Sequence, residues 1–278
     1  MKVSILQMPI DMGNIEHNLD AMSAMLEETM HSSNRPDTVL LPELWNTGFY
    51  PSPISEFADS QDNWKNHMGR LASEYTVNIV AGSIAVEKNG HIYNTCYVFD
   101  RTGTNIATYN KIHLFTPSKE HKDFTPGSSV ATFMLDGIKC GVIICYDLRF
   151  PELSRQLALS GISILFVVAA WPVERLQHWD TLLRARAIEN QFFVAGANGI
   201  SPRKGESLHL GGGSAIYDPW GSLLAQGSTD NLKGEILQAN LQPGVIAQIR
   251  NQINIFQDRR PDISLSLTGA KTPPKLRD

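Results

Sequence analysis

The sequence predicts an α/β fold of two mixed β-sheets packed face to face, with helices on both outer faces: a four-layer α-β-β-α sandwich. Three observations lead there. Short apolar β-runs alternate with helical repeats of apolar residues. Several β-runs are joined by tight turns, such as Lys88-Asn89-Gly90-His91 and Asp136-Gly137, which a doubly wound parallel sheet would lack. No Pro/Ser-rich stretch is long enough to act as a linker between domains, so both sheets fall within one domain, residues 1–278.

Val3–Leu6 is a first β-run. Asn14 offers an N-cap, and Ile15, Leu19, Met22, Leu26 and Met30 then recur at three to four residues, predicting an amphipathic helix. Thr38–Leu41 predicts a second strand, stopped by Pro42. Trp64, Met68, Leu71 and Tyr75 repeat the helical spacing, and Asn78–Ser83 is strand again. Ile84–Val86, Ile92–Phe99 and Ile106–Tyr109 read as an antiparallel meander, and Val130–Leu135 with Ile138–Ile144 as a hairpin about Asp136-Gly137. Pro151 suits the first position of a helix reaching Leu159. Ile162–Ala169 is a continuous buried strand. Leu176, Trp179, Leu182, Leu183 and Ala187 mark a longer helix, and Phe192–Ala197 another strand. Ala215–Tyr217 and Leu223–Ala225 form a last hairpin around Asp218-Pro219-Trp220-Gly221.

Composition excludes several classes. The 278 residues are 42% hydrophobic and 19% charged, enough apolar surface for a real core. The net charge of −4 and pI near 6.1 carry no basic stripe of a nucleic-acid binder. The longest apolar run, Ile162–Trp171, is half of the ~20 residues that cross a bilayer. Three cysteines, Cys96, Cys140 and Cys145, without a CxxC pair, form neither a disulfide framework nor a zinc site. The N-terminal apolar stretch is too short for a signal-peptide core, so a reducing cytoplasm is expected.

Three residues carry candidate chemistry. Cys145 ends the run Cys140-Gly141-Val142-Ile143-Ile144, with Tyr146-Asp147-Leu148-Arg149 and then Pro151 following. A strand that stops at a thiol and turns into a helix exposes the side chain at the strand tip, beside free N–H groups able to face an oxyanion. Such a setting is also expected to lower the thiol pKa. The competing reading is a buried structural cysteine. No histidine has a comparable setting to serve as its base. Glu43, just past Val39-Leu40-Leu41-Pro42, is either an ordinary loop glutamate or, hemmed by Leu44 and Trp45, a poorly solvated carboxyl suited to proton transfer. Lys111 follows the run Ile106–Tyr109 and is either a snorkelling surface residue or a buried cation awaiting an anion.

The contexts Leu41-Pro42-Glu43, Tyr109-Asn110-Lys111-Ile112-His113-Leu114 and Ile144-Cys145-Tyr146-Asp147-Leu148-Arg149-Phe150-Pro151-Glu152 resemble the nitrilase superfamily of carbon–nitrogen hydrolases. So do Trp171-Pro172, the stretch His178–Asn190, Asp218-Pro219-Trp220-Gly221 and Arg259-Arg260-Pro261. The resemblance runs from Gln7 to Pro261. It implies a Glu43–Lys111–Cys145 catalytic set on a nitrilase-like α-β-β-α sandwich, and a second glutamate near the lysine, matched here by Glu120. It implies no metal or organic cofactor. It implies a homodimer or higher oligomer, in which the tail, about 250–278, packs at the interface; Ile253–Ser266 has apolar residues but little periodicity.

Cys145-Tyr146-Asp147-Leu148-Arg149-Phe150-Pro151-Glu152 followed by Trp171-Pro172 and His178-Trp179 is most similar to the omega-amidase group, which deamidates small ω-amides such as 2-oxoglutaramate. The resemblance then implies a substrate site in which Tyr146 supplies an oxyanion N–H and Trp171 lines the pocket. Arg149, the arginine nearest the nucleophile, either anchors a substrate carboxylate or pairs with Glu152. Gly213 stands where many relatives have histidine, and Ala170 where many have a polar residue. A nitrilase or N-carbamoyl amidohydrolase of the same fold, and a non-catalytic binding protein, are the alternatives.

Overall fold

The computed structural model describes residues 1–49, 51, 53–202 and 209–260. Among the described residues, thirteen strands and five α-helices follow in chain order: β1 (Lys2–Gln7), α1 (Ile15–His31), β2 (Thr38–Leu40), α2 (Asn63–Tyr75), β3 (Asn78–Val80), β4 (Ile84–Lys88), β5 (His91–Phe99), β6 (Asn105–Asn110), β7 (Ala131–Leu135), β8 (Ile138–Ile144), α3 (Pro151–Leu159), β9 (Ile164–Ala169), α4 (Leu176–Asn190), β10 (Phe193–Asn198), β11 (Ala215–Tyr217), β12 (Leu223–Gln226), β13 (Glu235–Asn240) and α5 (Gly244–Gln252).

The strands form two mixed sheets. In the first, β13-β1-β2-β3-β5-β4 are neighbours and β6 pairs with the other edge of β5. In the second the order is β12-β11-β10-β9-β8-β7. Each sheet has a parallel trio, β1-β2-β3 and β8-β9-β10, flanked by antiparallel strands. Period-two alternation divides the first sheet's side chains. Val3, Ile5, Leu40, Val80, Cys96 and Val98 join the core between the sheets, whereas Leu6, Val39, Ile79, Tyr97 and Phe99 pack outward with Met22, Leu26 and Met68 of α1 and α2. Helices α3 and α4 lie together on the far side of the second sheet. The four predicted layers are therefore present.

The turns follow from their residues. Asn89-Gly90 and Asp136-Gly137 have positive φ at both positions (53° and 76°, 47° and 79°), as a two-residue hairpin of matching twist requires. Two elements are absent from the sequence reading. Strand β13 buries only Leu237 and is an edge strand whose pairing with β1 spans the whole chain. Helix α5 buries only Ile246 and Ile249 and opens on a glycine. The expected interface tail is described to Arg260; its remainder, 261–278, lies outside the described residues.

Candidate active site

The side chains of interest emerge at strand ends. Glu43 comes three residues after β2, Lys111 directly after β6, Cys145 directly after β8, and Ala170-Trp171 directly after β9. The C-terminal ends of the parallel trios thus supply Glu43, Cys145 and Trp171, where an α/β sheet commonly places its ligands.

Cys145 opens one turn of 3-10 helix, Cys145–Arg149, before α3 begins at Pro151. Its φ of +48° is left-handed, a conformation that costs a side-chain-bearing residue about 1–3 kcal/mol and persists only when its surroundings enforce it. Asp147 enforces it. Wholly buried, it accepts hydrogen bonds from the Ile144 N–H (3.1 Å), the Tyr109 hydroxyl (2.7 Å) and the His113 N–H (2.8 Å), with His113 Nδ1 also at 2.8 Å. The His113 ring stacks on Phe150 at 3.6 Å. Asp147 thereby ties the turn to β8, β6 and the loop after Lys111.

The Glu43 loop is similarly braced. Leu44 has φ +45° and donates its N–H to Ser83 Oγ at 3.0 Å. Gly82 lies so close that a Cβ there would meet the Pro42 carbonyl oxygen at 2.0 Å, so only glycine fits.

Glu43, Lys111 and Glu120 expose no surface. Lys111 Nζ donates to Glu43 Oε1 at 2.8 Å and to Glu120 Oε1 at 3.0 Å. Glu43 also accepts from Asn94 Nδ2 (2.8 Å) on Oε1 and from the Ala170 N–H (2.8 Å) on Oε2. Glu120 Oε2 accepts from the Phe115 N–H at 2.5 Å. The cluster holds two carboxylates and one ammonium. Burial alone would lower the lysine's pKa, but the charges of Glu43 and Glu120 outweigh it and hold Lys111 well above its ordinary value. Burial raises the Glu120 pKa, with the Lys111 charge opposing it.

The Cys145 thiol feels both Glu43 and Lys111. Burial, reinforced by the Glu43 charge, pushes its pKa well above the ordinary thiol value, against the pull of Lys111. This corrects the sequence expectation of a lowered value: the turn's N–H groups do not offset burial beside a carboxylate, so the resting thiol is neutral and its proton must be taken as it attacks.

Cys145 opens on a narrow cavity walled by Phe49, Phe115, Tyr146 and Trp171 and carrying Arg149 and Arg175. Tyr146 packs edge-on to Phe115 and Phe150. Trp171 is both core and lining: it is 2% exposed, its Nε1 donates to the Arg175 carbonyl at 2.8 Å, and the Arg149 guanidinium lies over its ring at 4.8 Å. Arg149 does not pair with Glu152; its guanidinium nitrogens lie 3.4 Å from His178 Nδ1. Ala170 needs no polar side chain to serve the site, because its backbone N–H binds Glu43. The Gly213 carbonyl accepts from Trp179 Nε1 at 2.8 Å, and the residue stands away from the cavity. Asn198 holds the Trp171 backbone, accepting its N–H at 2.6 Å and donating to its carbonyl at 3.0 Å.

The structure therefore brings Glu43, Lys111, Glu120, Cys145, Tyr146, Arg149 and Trp171 to one place. Sequence reasoning misses Asn94, Asp147, Asn198 and Arg175. The available signal is polar: Asn94 lies within a strand that turns apolar after Thr95, Asn198 ends an apolar one, and buried amides require partners. Among the described residues, no group of three His, Cys, Asp or Glu side chains is arranged to hold a metal ion, and no helix is long and apolar enough to cross a membrane.

A buried carboxylate and ammonium facing a thiol at a strained strand tip, on two sandwiched sheets, define a site equipped for nucleophilic acyl transfer. Residues 2–251 match the carbon–nitrogen hydrolase family, and the chain belongs to that family, a hydrolase of C–N bonds other than peptide bonds. It is 40% identical to the 2-oxoglutaramate amidase of Bacillus subtilis over 94% of this chain and 98% of that one. It is 35% identical to the human omega-amidase NIT2 over 81% of this chain and 83% of that one. Among solved structures, Saccharomyces cerevisiae Nit3, a nitrilase-superfamily member, superposes with a TM-score of 0.85 at 28% identity, covering 94% of this chain and 96% of that one.

Proposed function

We propose that the protein hydrolyses a small linear carboxamide carrying a carboxylate, of the 2-oxoglutaramate kind, to the acid and ammonia. The observation that carries this is the buried Cys145 thiol set against the Glu43–Lys111 pair, in a cavity whose remaining charge is cationic. The amidase names of its relatives support the substrate class.

Glu43 accepts the thiol proton as Cys145 Sγ attacks the amide carbon. The oxyanion that forms is held by the Lys111 ammonium and the Tyr146 N–H. Glu43 returns its proton to the amide nitrogen, the C–N bond breaks and ammonia leaves a thioester on Cys145. A water then attacks the thioester, again losing its proton to Glu43; the C–S bond breaks, the acid leaves and the thiol is restored. Glu120 and Asn94 hold Lys111 and Glu43 in register, and Arg149 takes the substrate carboxylate.

We read residues 1–278 as one hydrolase domain whose tail, about 250–278, packs at a homodimer interface. In support, Ile188, Trp220 and Ile253 are each about half exposed and line one apolar groove. A monomer mass in light scattering at micromolar concentration would refute it. The three free, buried cysteines fit our assignment to a reducing cytoplasm.

The chemistry is tested by an ammonia-release screen across 2-oxoglutaramate, glutamine, pentanamide, aliphatic nitriles and N-carbamoyl amino acids. Turnover of 2-oxoglutaramate above all others is expected; preferential turnover of a nitrile or N-carbamoyl compound would replace the substrate reading.

A further inference from the structure

Two guanidinium groups, those of Arg149 and Arg175, line the cavity onto which Cys145 opens. Each lies against an aromatic ring, Arg149 over Trp171 at 4.8 Å and Arg175 over Phe115 at 5.3 Å. A guanidinium held over an aromatic face is kept in place while its remaining N–H groups can still face a ligand. Neither arginine has a carboxylate partner among the described residues. The buried carboxylates of the site, Glu43 and Glu120, are both engaged by Lys111.

Two unpaired cations at one small, largely aromatic cavity repel each other. After burial, the charge of Arg175 is what holds the Arg149 pKa below its usual range, which places the two within electrostatic reach. Arg149 shares its two terminal nitrogens with His178 Nδ1, 3.4 Å from each, which can only accept from it, whereas Arg175 is tethered through its own backbone, its carbonyl receiving Trp171 Nε1. An arrangement of this kind is poised for an anion. A lone carboxylate satisfies one guanidinium fork; an α-keto carboxylate presents three coplanar oxygens, enough for two.

We propose that Arg175 is a second substrate-binding residue, which with Arg149 forms a clamp selecting amides whose far end is a carboxylate with an adjacent oxo group. The clamp rests on the substrate class assigned above and adds to it the residue and the feature of the substrate that is read.

The test compares wild type, Arg175→Met, Arg175→Lys and Arg149→Met on 2-oxoglutaramate, glutaramate and pentanamide, which share a chain length and lose first the oxo group and then the charge. Arg175→Met should lower the ratio of kcat/KM for 2-oxoglutaramate over that for pentanamide by about 10- to 100-fold, the loss of one charge-assisted contact, with the change in KM rather than kcat. Arg175→Lys should recover some of it. In a Cys145→Ala background, the affinity for 2-oxoglutaramate by calorimetry should fall by a similar factor on adding Arg175→Met. If wild type prefers 2-oxoglutaramate and the Arg175→Met ratio stays within twofold of it, the clamp is overturned while the substrate class stands. If wild type itself shows no preference for the charged amides, the substrate class fails and the clamp with it.

Discussion

Lys111 Nζ lies 2.8 Å from Glu43 Oε1, and neither side chain exposes any surface. A pair so buried is stable only while both charges remain, and here the same ammonium also serves Glu120 at 3.0 Å. Lys111→Met keeps the bulk and removes the charge. It should reduce kcat by about 10²–10³, the cost of one oxyanion donor, with a much smaller effect on KM. It should also destabilise the fold by about 3–5 kcal/mol, because two buried carboxylates lose their cation. Urea unfolding monitors the second effect separately. A Lys111→Met enzyme with wild-type kcat would remove the lysine from the mechanism.

Cys145→Ala should abolish ammonia release and leave the fold intact, since only the sulfur is lost. A slow amide substrate should leave an acyl adduct on Cys145, seen as a mass increase mapped by peptide digestion. Cys96 and Cys140 are wholly buried and line no part of the cavity onto which Cys145 opens, so neither is a competing nucleophile. An adduct on either would sink the assignment of Cys145.

Much of this arrangement is legible in the sequence because it obeys local rules. Glu43, Lys111 and Cys145 each follow an apolar β-run, and a strand end marks where a side chain leaves the core. The two-residue hairpins at Asn89-Gly90 and Asp136-Gly137 need positive φ, which those residue pairs announce. What is not legible is set by partners far along the chain. Asn94 lies 51 residues from Glu43 and Asp147 lies 38 from Tyr109, so nothing nearby marks them as buried hydrogen-bond hubs. Strand β13 reads as polar because only Leu237 is buried. Arg175 resembles any charged residue before a helix until Phe115, 60 positions earlier by number, is folded against it. The left-handed backbone of Cys145 is equally invisible, since cysteine gives no conformational signal of the kind glycine does.

Asp147→Asn tests whether the nucleophile's turn is held from below. Asparagine preserves size but offers one acceptor oxygen where the carboxylate offers two, and the donors of Ile144, Tyr109 and His113, backbone and ring, then compete. We expect a loss of about 1–3 kcal/mol, that of one unsatisfied buried donor, with a fall in kcat as Cys145 loses its alignment. Tyr109→Phe removes only the hydroxyl and should cost less on both counts. Equal stability and kcat in Asp147→Asn and wild type would show that the turn holds itself.

The buried thiols also set an alkaline limit on stability, and Cys140 allows it to be isolated. In the folded chain its pKa is raised from 9.0 to about 12 by burial. A group with a raised folded pKa binds its proton more tightly when folded. Its contribution is fully present below the unfolded value and is lost as pH rises from about 9 through 12, where the unfolded chain gives up the proton and the folded chain keeps it. The slope reaches at most one proton, about 1.4 kcal/mol per pH unit. Cys140→Ala removes this group and leaves the other raised thiols and tyrosines in place. Its stability relative to wild type should therefore be flat below pH 8 and should improve progressively between pH 9 and 11, whatever constant penalty the lost sulfur imposes. Urea titrations of both proteins across that range give the difference directly, and a difference independent of pH would mean that Cys140 ionises as readily in the folded chain as in the unfolded one.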